Sequence, residues 1–243
     1  GEGDKMRKKR RDYIIAAVFL LPAILLLSVF VIYPIISNVI LSFQEWNGIY
    51  GVAKNFVQFD NYKAVFSDEL FWRSLANAGI FIVVGFVIQM PLSFALALLV
   101  TSKIKGKNVF RTVYYIPVIL GTTIVAVMWK NLVNPNYGAV MEIIRNLGID
   151  FLDFDWLNTP WVNVWVAALV NCWKSAPYNM LIFCAGLVTI PDTLNEAAMI
   201  DGCNAWQRVR YITLPLSKNS FKVYAILCIT GCIKQFDMIW AMT

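Results

Sequence analysis

Histidine is absent from this sequence of 243 residues, and charged residues make up only 15% of it. The chain therefore lacks the side chain that most often serves as a general base or metal ligand near neutral pH. A soluble domain carries about 25% charged residues, so the low charge argues against a soluble protein. The phosphate-binding pattern G-x-x-x-x-G-K-[ST] is also missing, because the segment KGKN at 105–108 does not match it.

Cysteine is scarce and irregularly spaced. Cys203 lies in a polar stretch, and the other four cysteines lie inside apolar runs. This spacing fits neither a disulfide framework nor a metal site. We predict that the cysteines are small buried apolar side chains, at Cys172, Cys184, Cys203, Cys228 and Cys232.

Hydrophobic residues, by contrast, account for 59% of the chain and give it a mean hydropathy of +0.62. They are gathered into runs long enough to cross a hydrocarbon core, which takes about 20 helical residues. The short alternating strands of a closed membrane barrel are absent from the sequence. We therefore predict an all-α integral membrane protein whose five spans lie near residues 13–43, 73–100, 112–133, 161–188 and 217–240.

The N-terminal segment 1–12 is basic and contains RKKRR at 7–11. A signal peptide is the alternative interpretation of this charge followed by an apolar run. However, the run continues to Phe43 without a small-residue cleavage site, whereas a signal peptide core has about 7–15 residues. We predict a retained first span that Pro22 and Pro34 bend.

The charges between the spans predict the orientation of the chain. Lysine and arginine near span ends favour the cytoplasm, and they cluster after the second and fourth spans. The connection at 134–160 is acidic instead, with Glu142, Asp150, Asp153 and Asp155 against Arg145 alone. The N-terminus and both basic connections are therefore predicted to be cytoplasmic. This orientation explains the basic residues of the two connections, so nucleic-acid binding is not needed to explain them. These residues are Lys103, Lys105, Lys107, Arg111, Arg208, Arg210, Lys218 and Lys222.

A polar loop at 189–216 separates the fourth and fifth spans. Pro191 ends the preceding helix, and Asp192 can cap a short helix that holds Glu196 near its positive end. Gly202 can end that helix in the left-handed conformation.

A second short helix follows in the same loop, with Asn204 as its predicted cap and Pro215 at the start of the next span. One interpretation of the loop is an amphipathic elbow at the membrane surface. The other is a docking element for a protein, in which Ala197 and Ala198 form a narrow packing face and Glu196 and Asp201 supply charge.

The loop resembles the EAA loop of the membrane subunits of bacterial ABC importers. The matching residues are Glu196-Ala197-Ala198, Asp201-Gly202, Trp206-Gln207 and Ile212-Thr213-Leu214-Pro215, with Cys203 in place of the usual alanine. Over most of its length the chain is similar to carbohydrate permeases of the maltose-transporter type. The supporting segments, in order, are LLPAILLLSVFVIYPI, FDNYKAVF, FRTVYYIP, VMWKNLVNPNYG, WLNTP, NCWKSAPYNM and FDMIWAMT.

This resemblance implies an ABC type I importer bundle with six spans, of which the sixth would follow Thr243. It implies that Glu196, Ala197, Ala198, Asp201 and Gly202 belong to a loop that docks into a separate cytoplasmic ATPase. It also implies a second permease subunit, two ATPase subunits, an extracellular solute-binding protein and a place in the bacterial cytoplasmic membrane. ATP and Mg would then bind to the ATPase, and this chain would hold no metal, cofactor or catalytic residue.

Polar residues on the fourth span recur at helical spacing. Asn171, Lys174, Ser175 and Tyr178 occur at i, i+3, i+4 and i+7, which places them on one face. On the fifth span Cys228, Gly231, Cys232 and Gln235 repeat this spacing with smaller groups. Such stripes line either a pathway or a close interhelical contact. In the family that the chain resembles, sugar contacts fall on this part of the fourth span and near Gln235.

Lys174 departs from the pattern of that family, and a cation here would suit an acidic or phosphorylated sugar. The alternative from another class is an ion-coupled secondary transporter that uses Lys174 and Asp237. We predict instead that Asp237 pairs locally with Lys234, three residues earlier. Asn77 and Gln89 on the second span are consistent with either packing or a pathway.

Overall fold

The computed structural model describes residues 2–49, 54–102 and 107–242. Within these ranges the chain is mainly helical, as predicted, and it divides into two compact units, Gly1–Trp72 and Arg73–Thr243. Two of the predicted basic residues, Lys103 and Lys105, lie outside the described residues. The same holds for the side chains of Arg7, Lys8, Arg10, Lys107 and Arg111.

The first unit begins with a long apolar helix. It consists of α1 (Glu2–Leu27), a π-helical turn (Ser28–Ile32) and α2 (Tyr33–Leu41), which follow one another without a break. The stretch Tyr13–Leu41 is 29 residues long and apolar enough to cross a membrane. None of its most apolar window is buried.

A small hairpin and a short helix complete the first unit. Strands β1 (Gln44–Glu45) and β2 (Asn55–Phe56) pair antiparallel, and α3 (Asp60–Ser67) follows them. The amide of Asn61 holds this segment to the end of α2, since its Nδ2 donates to the carbonyl of Ser42 at 3.0 Å.

The second unit is a bundle in which α5, α6 and α13 pack against the long central helix α9. Helix α4 precedes these four, and α14 follows them and packs against α7 and α9. The other helices connect the four or form the polar loop. The elements are α4 (Glu69–Val84), a π-helical turn (Gly85–Gln89), α5 (Met90–Thr101), α6 (Lys107–Ile119), α7 (Thr122–Leu132), α8 (Ala139–Asn146), a 3-10 turn (Asp150–Leu152), α9 (Val162–Val188), α10 (Asp192–Ile200), α11 (Ala205–Arg208), a π-helical turn (Val209–Thr213), α12 (Leu214–Leu216), α13 (Lys218–Ile233) and α14 (Asp237–Met242).

Small residues bring the helices of this bundle close together. A side chain on Gly186 of α9 would collide with Ser220 Oγ of α13, so these two backbones meet in close contact. Where the helices lie farther apart, aromatic rings fill the space. The rings of Phe94 and Phe183 meet edge to face at 5.5 Å, and those of Phe183 and Tyr224 stack at 5.6 Å.

Each of the three π-helical turns among the described residues stands just before a proline. Pro34, Pro91 and Pro215 are the second residues of α2, α5 and α12, and each follows a π-helical turn of five residues. Proline has no backbone N–H, and its ring clashes with the carbonyl four residues earlier. The wider π-helical turn relieves this clash, so the helices continue through their prolines.

Two described helices are long and apolar enough to cross a membrane, Tyr13–Leu41 and Glu69–Thr101. The segments Thr112–Ile119 and Thr122–Leu132 make a third only as a bent pair, because they meet at 101°. The third predicted span is thus not one straight helix. The break lies at Leu120 and Gly121, where the backbone of Gly121 is extended, shortly after the helix that contains Pro117.

The last two predicted spans contain helices with different properties. Helix α9 has 27 residues, enough for about 40 Å of length. Because of its polar residues, its hydropathy is lower than that of Tyr13–Leu41 and Glu69–Thr101, and it is not among the helices apolar enough to cross a membrane. Helix α13 has 16 residues and ends at Ile233. The five-span topology and the cytoplasmic N-terminus therefore stay predictions.

Candidate functional site

The polar loop at 189–216 is a structured element whose first helix has a defined end. Gly202 has φ of +79°, the left-handed conformation predicted for it. The N–H of Cys203 donates to the carbonyl of Ala198 at 2.9 Å, and the N–H of Gly202 donates to that of Met199 at 3.2 Å. These two bonds form a Schellman motif, which fixes the direction in which the chain leaves α10.

The second helix of the loop is capped as predicted. Asn204 Oδ1 accepts from the N–H of Gln207, and Gln207 Oε1 accepts from the N–H of Asn204, each at 2.8 Å. This reciprocal pair is a capping box, which satisfies two backbone donors that the helix start would otherwise leave open. The loop therefore joins two helices through only four residues, 201–204.

Three details of the loop differ from prediction. Asp192 is the first residue of α10 rather than its cap, and Pro191 precedes it without a side-chain hydrogen bond. Glu196 is the fifth of nine residues, so it lies at the middle of the helix and not at its positive end. Ala197 is exposed whereas Ala198 is buried, because adjacent helical residues point about 100° apart. The two alanines therefore do not share one face.

The outer surface of the loop combines carboxylates with large apolar side chains. Glu196 and Asp201 are exposed. Between and beside them Met199, Ile200 and Trp206 are 52%, 87% and 69% exposed. Exposed apolar groups gathered among charges are typical of a surface that binds a protein or a membrane interface.

The polar face of α9 contacts the segment between α13 and α14 through Asn171. Gln235 Nε2 donates a long hydrogen bond to Asn171 Oδ1 at 3.4 Å, and Ser175 Oγ lies 3.4 Å from the same oxygen. Ser175 Oγ also donates to the Asn171 carbonyl at 2.7 Å. Asn171 and Ser175 stand near the middle of α9, so an amide–hydroxyl–amide cluster occupies its centre. The structure thus brings together three of the five predicted pathway residues.

Lys174 and Tyr178 share that helix face but not its hydrogen bonds. Lys174 is half-buried as a residue, and its ammonium has no ion pair or hydrogen bond to any residue that the structure describes. Tyr178 is 54% exposed, and its hydroxyl likewise has no hydrogen-bond partner in the described ranges. Neither group is therefore held by a described residue.

The predicted stripe on the fifth span is only partly formed. Cys228 and Cys232 are buried, with their sulfur atoms 4.0 Å apart, but Gly231 is exposed. The helix ends before Lys234, and the described residues contain no salt bridge between Lys234 and Asp237. The predicted ion pair is therefore wrong, because the break between α13 and α14 separates its two members.

All five cysteines fall within the described ranges, and none is in a disulfide. Burial is confirmed for Cys172, Cys228 and Cys232, whereas Cys184 and Cys203 are half-buried. In the part of the chain that the structure describes, no group of three or more cysteine or acidic residues could hold a metal ion.

A cavity of about 300 Å³ lies between α4 and the segment from Cys232 to Trp240. Gln235 lines it, and so does Asn77, which the sequence left undecided. Ser74 on the same wall was not predicted, although it precedes Asn77 by three residues and so shares its helix face. The sequence signal that could have identified Ser74 is this pair of polar residues, three positions apart near the start of an apolar helix.

Gln89, the other undecided residue, is a packing residue. It is buried, and its Oε1 accepts from the hydroxyl of Tyr224 at 3.1 Å. Tyr224 itself was missed, because nothing in its immediate sequence distinguishes it from an apolar core residue. This contact connects the second and fifth predicted spans.

The acidic connection at 134–160 is organised by its single arginine. Arg145 Nε donates to both carboxylate oxygens of Asp153 at 2.9 Å, and Arg145 Nη2 donates to the carbonyl of Pro135. The hydrogen bond from Arg145 lowers the pKa of Asp153. A side-chain hydrogen bond from Asn158 likewise lowers the pKa of Asp155. Both carboxylates thus keep their charge at neutral pH.

Comparison by sequence finds permease proteins of transport systems among the relatives of this chain. The chain is 33% identical over 93% of its length to a probable ABC transporter permease of Pyrococcus horikoshii, and it covers 77% of that protein. It is 32% identical over 97% of its length to the trehalose/maltose transport system permease protein MalF of Thermococcus litoralis, covering 79% of it.

Among solved structures, the chain superposes on a bacterial ABC transporter involved in the import of the acidic polysaccharide alginate. The TM-score is 0.77 with 22% sequence identity, over 98% of this chain and 83% of that one, which shows a shared fold. The family model for the inner membrane component of binding-protein-dependent transport systems matches residues 89–242. Together with the sequence relatives, this match shows that the chain belongs to that family and is a permease subunit of a binding-protein-dependent ABC importer.

Proposed function

We propose that this chain forms half of an ATP-driven translocation pathway for a sugar or oligosaccharide. An extracellular binding protein delivers the solute, and it passes into the cytoplasm between this chain and a second permease subunit. The chain itself contributes no catalytic residue, metal or cofactor. ATP hydrolysis takes place on two ATPase subunits that bind the loop at 189–216.

The observation that carries this proposal is the cluster of Asn171, Ser175 and Gln235 at the centre of α9. Amide and hydroxyl groups donate and accept hydrogen bonds without carrying charge, which suits the hydroxyls of a sugar. Such groups are expensive at membrane depth unless they serve a pathway or a contact between helices. Because relatives of this chain are named as sugar transport proteins, we favour a role in a pathway over a contact between helices.

The loop supports the coupling role through its shape. The Schellman motif at Gly202 and the capping box at Asn204 hold α10 and α11 in a fixed relation. A rigid element can pass a displacement of the ATPase to α9 and α13, between which it lies in the sequence. The exposed Glu196 and Ile200 are the groups that would contact the ATPase.

Uptake into proteoliposomes tests the proposal. The complex is purified through a tag on this chain and reconstituted with its binding protein. Maltose, trehalose and an alginate trisaccharide are then supplied outside, with ATP enclosed. We expect uptake of at least one of these sugars, complete dependence on ATP and no loss when a protonophore collapses the proton gradient.

The same assay separates the rival transport class. An ion-coupled carrier would continue without ATP and would stop with the protonophore. That result, or the absence of uptake for all three sugars in a complex that is assembled and hydrolyses ATP, would contradict the proposal.

A second candidate substrate is an acidic or phosphorylated sugar, and Lys174 is the observation that favours it. An ammonium near the centre of a spanning helix costs about 3 kcal/mol without water or a partner, and Lys174 has no partner in the described residues. An anionic substrate would supply one. Preferential uptake of the alginate trisaccharide over maltose would support this candidate.

A further inference from the structure

The cavity between α4 and the α13–α14 segment has one wall on each element. On α4 the wall consists of Ser74, Asn77, Ala78 and Phe81, which occur at i, i+3, i+4 and i+7 and so share one helix face. The other wall runs from Cys232 to Trp240. Asn171 and Ser175 do not line the cavity, whereas Gln235 does, so the cavity adjoins the cluster through Gln235 and extends beyond it.

Several hydrogen-bonding groups in this cavity have no partner among the described residues. Among the described residues, the hydroxyl of Ser74 and the amide of Asn77 have no hydrogen-bond partner. Gln235 uses its Nε2 on Asn171, which leaves its Oε1 for another donor. The cavity thus presents a hydroxyl, an amide and a carbonyl oxygen that no described residue satisfies.

Two aromatic rings border the same cavity. Phe236 and Trp240 stack at 5.6 Å with 18° between their planes, and they are 63% and 74% exposed. Large apolar rings with this exposure offer a flat face to an apolar surface. The C–H face of a pyranose ring is such a surface, while its hydroxyls point to the sides. A volume of about 300 Å³ is at the small end of ligand pockets and holds a single sugar ring.

We propose that this cavity is a second carbohydrate subsite, which binds one sugar ring while the next ring reaches Asn171. Asn77 and Ser74 bind ring hydroxyls, Phe236 and Trp240 stack on the ring, and Gln235 connects the two subsites. The inference rests on the proposed sugar transport. In the predicted topology, α4 begins and α13 ends on the outer side, so this subsite receives the solute first.

Uptake by cavity variants tests this subsite. The probe is whichever of maltose, trehalose and alginate trisaccharide the wild-type complex takes up fastest, supplied at a concentration below saturation. Asn77→Leu keeps the side-chain volume and removes the amide, and we expect uptake to fall about tenfold. Trp240→Leu should cause a similar loss. Val83→Leu, on the opposite and exposed face of α4, is the matched control and should behave as wild type.

The outcomes separate this proposal from the one on which it rests. No uptake by the wild type contradicts the sugar transport itself. Wild-type uptake with Asn77→Leu and Trp240→Leu equal to Val83→Leu overturns the subsite and leaves sugar transport intact.

A labelling experiment keeps the test valid if those variants do not assemble. Ser74→Cys differs from the native side chain by one atom, and its modification by N-ethylmaleimide in proteoliposomes can be read at position 74 by peptide mass spectrometry. This readout is unaffected by the native cysteines. We expect 10 mM of the probe sugar to slow labelling at least threefold. Labelling at an unchanged rate, in a complex that takes up this sugar, overturns the proposal.

Discussion

The hydroxyl of Tyr224 donates a hydrogen bond to the backbone carbonyl of Gly85, 2.7 Å away and 139 residues earlier in the chain. Gly85 opens the π-helical turn before Pro91, and its carbonyl also accepts from the N–H of Met90. A side chain on Gly85 would collide with Cys228 Sγ. A widened turn, a glycine and a buried phenol thus fasten α13 to the α4–α5 helix.

We expect Tyr224→Phe to destabilise the chain by about 1–2 kcal/mol, because it removes the hydroxyl that contacts Gly85 and Gln89 in this buried site. The melting temperature in detergent should fall by about 2–6 °C. Tyr178→Phe is the control, since that hydroxyl has no partner in the described residues. Equal melting temperatures for the two variants would show that the contact adds no stability.

Gly202→Ala should weaken the loop at its turn. A residue with a Cβ costs about 1–2 kcal/mol in the left-handed conformation, and Gly202 has φ of +79°. We expect ATP hydrolysis to continue while the amount of sugar transported per ATP falls at least threefold. Gly79→Ala is the matched control, because a Cβ there meets no atom within 4 Å. Unchanged coupling in Gly202→Ala would mean that the turn is not mechanically important.

Glu196→Lys should abolish sugar uptake while the chain still inserts into the membrane. The side chain is exposed in the middle of α10, so a charge reversal affects a binding partner rather than the fold. Pull-down of the ATPase with the tagged chain measures the effect directly, and we expect at least a tenfold loss. Glu142→Lys, an exposed reversal on α8, should retain both binding and uptake. An ATPase that binds Glu196→Lys normally would disprove the docking role.

Lys174→Met should change substrate preference. Removing the ammonium eliminates the attraction for an anion, so uptake of an alginate trisaccharide should fall at least tenfold while maltose uptake is kept. Lys218→Met removes an exposed cation from α13 and should change neither. If both sugars respond equally to Lys174→Met, the lysine has a structural role, and the second candidate substrate loses its support.

Local features of this chain could be predicted from the sequence. The end of α10 at Gly202 and the cap of α11 at Asn204 depend on residues only a few positions apart, and both are confirmed. The predicted N-cap, Asp192, is wrong by one position, because Pro191 is the N-cap residue of α10. A difference of that size changes which group is free but not where the helix lies.

Long-range features could not be predicted in this way. Prolines are visible in the sequence, but whether a helix widens, bends or breaks near one depends on packing. Pro91 is accommodated by a π-helical turn, whereas the helix that contains Pro117 meets α7 at 101°. The pairing of Asn171 with Gln235 spans 64 residues. Helical spacing alone predicted a polar face for each of the two spans, but it did not show that Asn171 and Gln235 would be in contact.

Asn171→Leu tests most directly whether the polar centre of α9 is part of a sugar pathway. Uptake of the transported sugar and ATP hydrolysis are measured in the same proteoliposomes, with Leu169→Ala, an exposed position on the same helix, as control. We predict that Asn171→Leu lowers uptake at least tenfold while ATP hydrolysis continues, and that Leu169→Ala matches wild type. Equal uptake by the two variants would contradict that role.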